Sequence, residues 1–219
     1  HDVLRPYLPS SPYLENASAF AAPWLASEDH IWGPRDYFKG EFYRNSPALF
    51  ASETGYHGCP SPKSLTKFLR NPEKMFDGGE PTREYLAHAT SSGAGTDEPF
   101  AYRIKLMADQ VTTLFGEQDN IEDFALASQI SQAEAFKYFI EKFRINRNTH
   151  GGIIWWNIID GWPQVSDAVV DFYGVKKLAY HYIKRSQAPV CIIGDETGGK
   201  LYCSLENFKP GIIDLPFPS

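Results

Sequence analysis

Glu53 closes the run Pro47-Ala48-Leu49-Phe50-Ala51-Ser52-Glu53, and Thr54-Gly55 follows it. An apolar strand that ends on a single carboxylate is how a barrel enzyme presents a catalytic group at its C-terminal face. The glycine two residues on predicts a sharp backbone turn that keeps the acid at the mouth. A surface acid at a strand end, paired with an arginine, fits the local pattern equally well.

A second group of candidates lies around Ile153-Ile154-Trp155-Trp156-Asn157-Ile158-Ile159. Adjacent side chains on a strand point to opposite faces, so one of Trp155 and Trp156 faces inward and the other packs outward against helices. Both can simply be core. Alternatively, the inward indole floors a sugar site, because a pyranose has one apolar face of C–H groups that stacks on indole. Asp160 can accept sugar hydroxyls or cap the next turn, and Trp162-Pro163 can shape a rim. His30 and Trp32 end an earlier short strand before Gly33-Pro34, where they are packing residues or sugar contacts.

The elements that would position these groups follow from periodicity and punctuation. Val3-Leu4 and His30-Ile31-Trp32 predict short strands, and residues 48–53 a third. Ser61-Pro62 predicts a helix to about Arg70, with serine as cap and proline in the first turn. Residues 71–98 predict a long loop. Phe100, Ile104, Met107, Val111 and Leu114 keep helical spacing. Asp119 with Glu122 predicts a second helix start, and that helix runs to about Arg147 with Phe136, Phe139, Ile140 and Phe143 on one face. The apolar run 153–159 predicts a strand buried on both sides. Gly174 precedes a further helix to about Arg185. Val190–Ile193 and Leu201–Leu205, around Gly198-Gly199, predict a hairpin. Strand, helix, helix, strand, helix is a parallel α/β order with right-handed crossovers, and the hairpin looks like the start of a separate β domain.

Composition narrows the function classes. The 219-residue chain carries a net charge of -6 and no basic run, which speaks against nucleic-acid binding. No apolar stretch approaches the roughly 20 residues of a membrane span. The chain opens on His1-Asp2, so a natural start is not visible. Cys59, Cys191 and Cys203 have no metal-ligand spacing. They read as free thiols, although Cys191 and Cys203 could face each other across the hairpin, and an odd count slightly favours a cytoplasmic setting. No HExxH, P-loop, GxGxxG or GxSxG motif is present. Aromatic residues make up 15%, enough for both a large core and a stacking cleft.

Taken together, these segments resemble the catalytic barrel of glycoside hydrolase family 2, nearest its β-mannosidase-like branch. Arg5-Pro6-Tyr7-Leu8-Pro9-Ser10-Ser11-Pro12-Tyr13 resembles the segment after strand five, and Asp29-His30-Ile31-Trp32 the end of strand six. Ser52-Glu53-Thr54-Gly55-Tyr56-His57-Gly58-Cys59-Pro60-Ser61 is similar to the strand-seven motif around the family nucleophile. Trp156-Asn157-Ile158-Ile159-Asp160-Gly161-Trp162-Pro163, with Ser166 and Asp171, resembles the strand-eight motif. Thr54 stands where an aromatic is common in the family, and His57 where a glutamine is often found.

The resemblance implies the C-terminal half of a (β/α)8 barrel, about strands five to eight, over residues 1–188. Residues 189–219 would then begin a β-sandwich domain. It implies a retaining β-glycosidase, β-mannoside-like in substrate, with Glu53 as nucleophile and His30, Trp32, Trp156, Asp160 and Trp162 as substrate contacts, and with no metal or cofactor. The family's acid/base glutamate follows an asparagine at the end of strand four. This chain has no such Asn-Glu, and Glu15-Asn16 runs in the reverse order. A full barrel takes about 250 residues, so the chain reads as part of a longer polypeptide. Its expected partners are a carbohydrate substrate, the N-terminal half barrel, and other copies through open sheet edges. The alternative is a non-catalytic carbohydrate-binding or interaction fragment of the same fold.

Overall fold

A computed structural model describes residues 28–33, 37–77, 80–88 and 102–205. The strand expected at Val3-Leu4, the segment Arg5–Tyr13, and most of the loop before Tyr102 lie outside the described residues.

In chain order, β1 (Glu28–Ile31) is followed by the short helix α1 (Glu41–Arg44) and by β2 (Phe50–Thr54). Then come α2 (Pro62–Leu65), the strands β3 (Phe76–Asp77) and β4 (Glu80–Pro81), and α3 (Arg83–Ala87). Two long helices, α4 (Tyr102–Phe115) and α5 (Ile121–Ile145), lead to β5 (Gly152–Trp155) and α6 (Leu178–Ser186). A hairpin of β6 (Val190–Asp195) and β7 (Lys200–Leu205) follows. β1 and β5 pair in parallel with the two sides of β2, giving a three-stranded sheet with β2 in the middle.

α5 is the spine. Its 25 residues span about 37 Å. Ala135, Phe139 and Phe143 pack with Ile31, Ala51 and Tyr56, while Ala133, Phe136 and Ile140 pack with Val169, Ala179 and Ile183 around α6. Ala51 is fully buried, and its small side chain lets the helix approach the central strand closely. The N-terminal turn of α5 joins a third cluster with Leu65, Leu69, Tyr85 and Met107.

Several boundaries differ from the sequence expectation. The cap of α5 is Asn120, whose Oδ1 accepts from Asp123 N at 2.8 Å, one residue later than the Asp119–Glu122 pattern predicts. α2 has the expected Ser61 cap, accepting from Ser64 N at 3.2 Å, but its α-helical part stops at Leu65. Asn71 precedes Pro72, and a residue before proline is steered out of the helical region. The described part of residues 71–98 is not plain loop: it holds a 3-10 turn at Pro72–Lys74, the β3–β4 pair, and α3 capped by Thr82.

The largest difference concerns the apolar run 153–159. β5 ends at Trp155, the Trp156–Asn157 peptide is cis, and Ile154, Ile158 and Ile159 are each more than half exposed. α5 covers one face of the sheet, and no element among the described residues covers the other. The pattern therefore records burial on two faces, of which these elements supply one.

Arg144 fastens the hairpin to this body. Its buried guanidinium donates to Ser186 O at 2.5 Å, Ala188 O at 2.7 Å and Ser204 Oγ at 3.1 Å. Cys191 lies opposite Ser204 and Cys203 opposite Ile192, so the two thiols are not cross-strand partners, and both are free, as is Cys59.

Candidate active site

The C-terminal tips of β1, β2 and β5 lie side by side and bring His30, Trp32, Glu53 and Trp156 to one end of the sheet. The register is not regular. Asp29 pairs with Ala51 but His30 with Glu53, and on the other side Ala51 pairs with Ile153 but Thr54 with Trp155. Both irregularities place an extra residue in β2 at Ser52–Glu53. Such a bulge re-aims side chains next to functional sites. Its effect shows in burial: Ala51 and Thr54 are buried, whereas the two residues between them are both only partly buried.

The turn after Glu53 is held at several points. Thr54 Oγ1 donates to Ile31 O at 3.1 Å, and Trp156 N donates to Thr54 O at 2.7 Å. Trp32 N turns back to His30 O at 3.0 Å. The indole of Trp32 reaches the acid: Nε1 donates to Glu53 Oε2 at 2.8 Å. Gly55 does not have a left-handed backbone, contrary to the expectation of a glycine needed for a sharp turn. A Cβ there would lie 2.6 Å from Cη2 and Cζ3 of Trp32 and 3.0 Å from Trp156 O, so the glycine makes room for an indole.

Of the two adjacent tryptophans, Trp155 packs edge-on against Phe136 of α5, and Trp156 is 46% exposed on the open side. His30 is also open, with Nε2 3.9 Å from Oε1 of the buried Glu28, which in turn accepts from Ser52 Oγ. Trp162 is 36% exposed and stacks on His88 at 5.8 Å, while His88 Nδ1 meets Pro163 O at 2.7 Å.

Asp160 is placed differently from an open hydroxyl contact. It is 3% exposed, and its Oδ1 accepts from Ser166 Oγ and from Gln164 Nε2. Burial pushes its carboxyl above the usual carboxylate range, against the pull of Lys177, Ser166 and Gln164. The site thus gathers His30, Trp32, Glu53 and Trp156, sets Trp162 beside His88, and buries Asp160 in a polar network.

That network was not predicted. Lys177 is wholly buried, and its Nζ donates to Gly58 O at 2.7 Å and Ser166 O at 3.2 Å. Burial lowers its pKa, opposed by Asp160 and more weakly by Cys59, Asp167 and Asp171. Gln132 Nε2 donates to Tyr56 O at 2.9 Å and Asp167 O at 2.8 Å, and His57 Nε2 lies 3.7 Å from Asp167 Oδ2. Gly58 N donates to Ser166 O at 3.1 Å. These bonds tie the loop after Glu53 to the loop after Trp156. No short motif announces Lys177 or Gln132: Gln132 is one polar residue within α5, and Lys177 is the extended residue just before α6.

A cavity of about 390 Å³ lies elsewhere, between α5 and the β6–β7 hairpin, lined by Tyr138, Lys142, Glu196 and others but not by Glu53. On its wall Lys39 pairs with Glu196 at 2.7 Å, and Lys137 with Glu134 at 3.5 Å. No group of His, Cys, Asp and Glu that could hold a metal ion occurs among the described residues, and no helix among them is long and apolar enough to cross a membrane.

No family model matches the chain. It is 28% identical over 209 residues to β-mannosidase B of Thermothelomyces thermophilus, covering 87% of this chain and 23% of that protein. It is 26% identical over 189 residues to an exo-β-D-glucosaminidase of Arthroderma benhamiae, covering 84% of this chain and 19% of the relative. The solved β-D-mannosidase of Dictyoglomus thermophilum shares the fold with a TM-score of 0.69 at 23% identity, over 89% of this chain and 22% of that one. Fold and relatives define a homologue of β-glycosidases. Within that class its relatives are β-mannosidases and exo-β-glucosaminidases, in keeping with the resemblance to glycoside hydrolase family 2. It spans about a fifth to a quarter of the length of these relatives.

Proposed function

We propose that the chain is the C-terminal half of a (β/α)8 barrel, about strands five to eight, from a retaining β-glycosidase acting on β-mannoside-like substrates, with Glu53 as its nucleophile. The observation that carries this reading is the placement of Glu53. It lies at the C-terminal tip of the central strand, is presented by a bulge, and accepts from an indole beside the exposed Trp156.

In this mechanism a lone pair of Glu53 forms a bond to the anomeric carbon as the glycosidic C–O bond breaks. The leaving oxygen keeps that electron pair and takes a proton from a second carboxylic acid. Water, deprotonated by the same second acid, then attacks the anomeric carbon and releases Glu53 as carboxylate. The two carboxyl groups should stand about 5–5.5 Å apart. The second acid would come from the N-terminal half of the barrel, in the remainder of a longer polypeptide. Trp156 is the floor for the apolar face of the sugar, with His30 and Trp162 at the rim. Asp160 acts from below, by fixing Ser166 and Gln164. Residues 1–188 form the barrel part, and residues 189–219 begin a β-sandwich.

A 2-deoxy-2-fluoro mannoside with a dinitrophenyl leaving group should trap an ester on Glu53 of the parent polypeptide, located by peptide mass spectrometry. Glu53→Gln should abolish turnover. Absence of turnover in the unsubstituted parent, with sugar affinity unchanged by Glu53→Gln, would instead support a non-catalytic sugar-binding role. The purified 219-residue chain should not turn over an aryl β-mannoside by itself; turnover would show that it holds its own acid/base.

A further inference from the structure

We propose that Lys142 is a carbamate-forming site: its amine, on the wall of the cavity between α5 and the β6–β7 hairpin, adds carbon dioxide, and the resulting anion pairs with the guanidinium of Arg44. The proposal does not depend on the role of Glu53.

The hydrogen bonds of the amine are the first observation. Lys142 Nζ donates to Tyr43 O and, at 2.7 Å, to Arg44 O. A neutral amine has two N–H bonds and one lone pair. With both N–H groups on carbonyls, the lone pair is left for the cavity that Lys142 lines. An ammonium would carry a third N–H instead, and none of the ion pairs among the described residues involves Lys142.

The acids on this wall have other partners. Glu196 pairs with Lys39, and Glu134 with Lys137. Asp195 Oδ1 accepts from Thr197 N and Gly198 N within its own turn, and Glu141 Oε1 accepts from Ser186 Oγ of α6. Beyond the end of α5, burial lowers the pKa of His150, and the charge of Lys142 adds to that shift. Burial brings the Lys142 amine itself to about 8, with no neighbouring charge opposing it. Near pH 7.5 its neutral fraction is then on the order of a hundredfold larger than that of an ordinary lysine.

Arg44 is the other half of the site. Its guanidinium lines the same cavity, donates to Lys39 O at 3.0 Å, and has no carboxylate partner among the described residues. Lys142 is bonded to the carbonyl of this same residue, so an anion built on Nζ forms near the base of that side chain. Carbon dioxide meets both demands. It is an electrophile small enough for a cavity of about 390 Å³, and its product is anionic. An acyl group would give a neutral amide and leave Arg44 unpaired. In the reaction the nitrogen lone pair forms the N–C bond, one C=O electron pair moves onto oxygen, and a proton leaves nitrogen for solvent. One carbonyl bond is given up with that proton, and a charge-assisted carbamate–guanidinium pair replaces it.

The test equilibrates the parent polypeptide with carbon-13-labelled bicarbonate and carbon dioxide near neutral pH. Carbamates are trapped with triethyloxonium and located by peptide mass spectrometry. Label on Lys142 should exceed that on the exposed Lys63 and Lys200 by at least about tenfold. The excess should vanish when the protein is unfolded in guanidinium chloride. Arg44→Gln, which keeps the amine, should lower occupancy of Lys142 several-fold. Equal label on Lys142 and the exposed lysines, or an excess that persists after unfolding, would overturn the proposal. So would unchanged occupancy in folded Arg44→Gln. Should that variant not fold, the comparison of native with unfolded protein decides the matter without it.

Discussion

Replacing Lys177 with methionine removes the charge from the bridge between the two site loops while nearly keeping its volume. The ammonium is wholly buried, donates to Gly58 O and Ser166 O, and is drawn toward Asp160, Asp167 and Asp171. Two hydrogen bonds from a charged donor are worth about 1.5 kcal/mol each at the low end. Removing one member of a buried charge set costs about 3–5 kcal/mol. The two estimates overlap because they describe the same contacts, so the expected loss is about 3–5 kcal/mol at neutral pH. The sign of its pH dependence follows from Asp160, whose carboxyl burial already raises and whose pKa Lys177 pulls down. Without the ammonium, Asp160 binds its proton at higher pH in the folded state. The deficit should therefore shrink as pH falls from about 7.5 to 5.5. Urea unfolding of the parent polypeptide at both pH values, followed by near-ultraviolet circular dichroism, measures it. A variant as stable as the original at neutral pH, or a deficit that grows on acidification, would refute the bridging role.

Two further outcomes are expected. Arg144→Ala should free the hairpin from α5 and α6 by removing bonds to Ser186 O, Ala188 O and Ser204 Oγ; the expected loss is about 3 kcal/mol, read as faster limited proteolysis between residues 186 and 190. Burial lowers the Lys142 amine to about 8, while its Nζ donates to Tyr43 O and Arg44 O. Its acetylation, followed by mass spectrometry, should rise with a midpoint near pH 8, well below that of ordinary lysines. Because the folded value lies below the unfolded one, the unfolded chain binds more protons between those values. Lys142 therefore contributes a stability gain as pH rises through that window.

Much of this architecture is legible locally. Helical spacing marks Phe136, Phe139, Ile140 and Phe143 as the buried stripe of α5, because a helix returns a side chain to the same face every three to four residues. Turn signals at Gly198-Gly199 mark the hairpin. Glu53 stands out because a lone carboxylate at the end of an apolar run is expensive to bury and so must lie at a tip. What local pattern misjudges is anything set by a distant neighbour. The run 153–159 reads as one long strand, yet the chain leaves the sheet after Trp155. Asp160 reads as a hydroxyl contact or a turn cap, and only the fold brings Ser166 and Gln164 around its carboxylate.

The sequence by itself determined the parallel α/β order, the resemblance to family 2 glycosidases, and the candidates Glu53 and Trp156, because periodicity, punctuation and short motifs are local properties. Only the tertiary structure decided which contacts those residues make. The bulge at Ser52–Glu53 depends on pairing with two other strands. The indole bond to Glu53 joins residues 21 positions apart, and the ammonium of Lys177 reaches Gly58 across 119. Such contacts come from packing distant segments around α5, and no window of neighbouring residues encodes them.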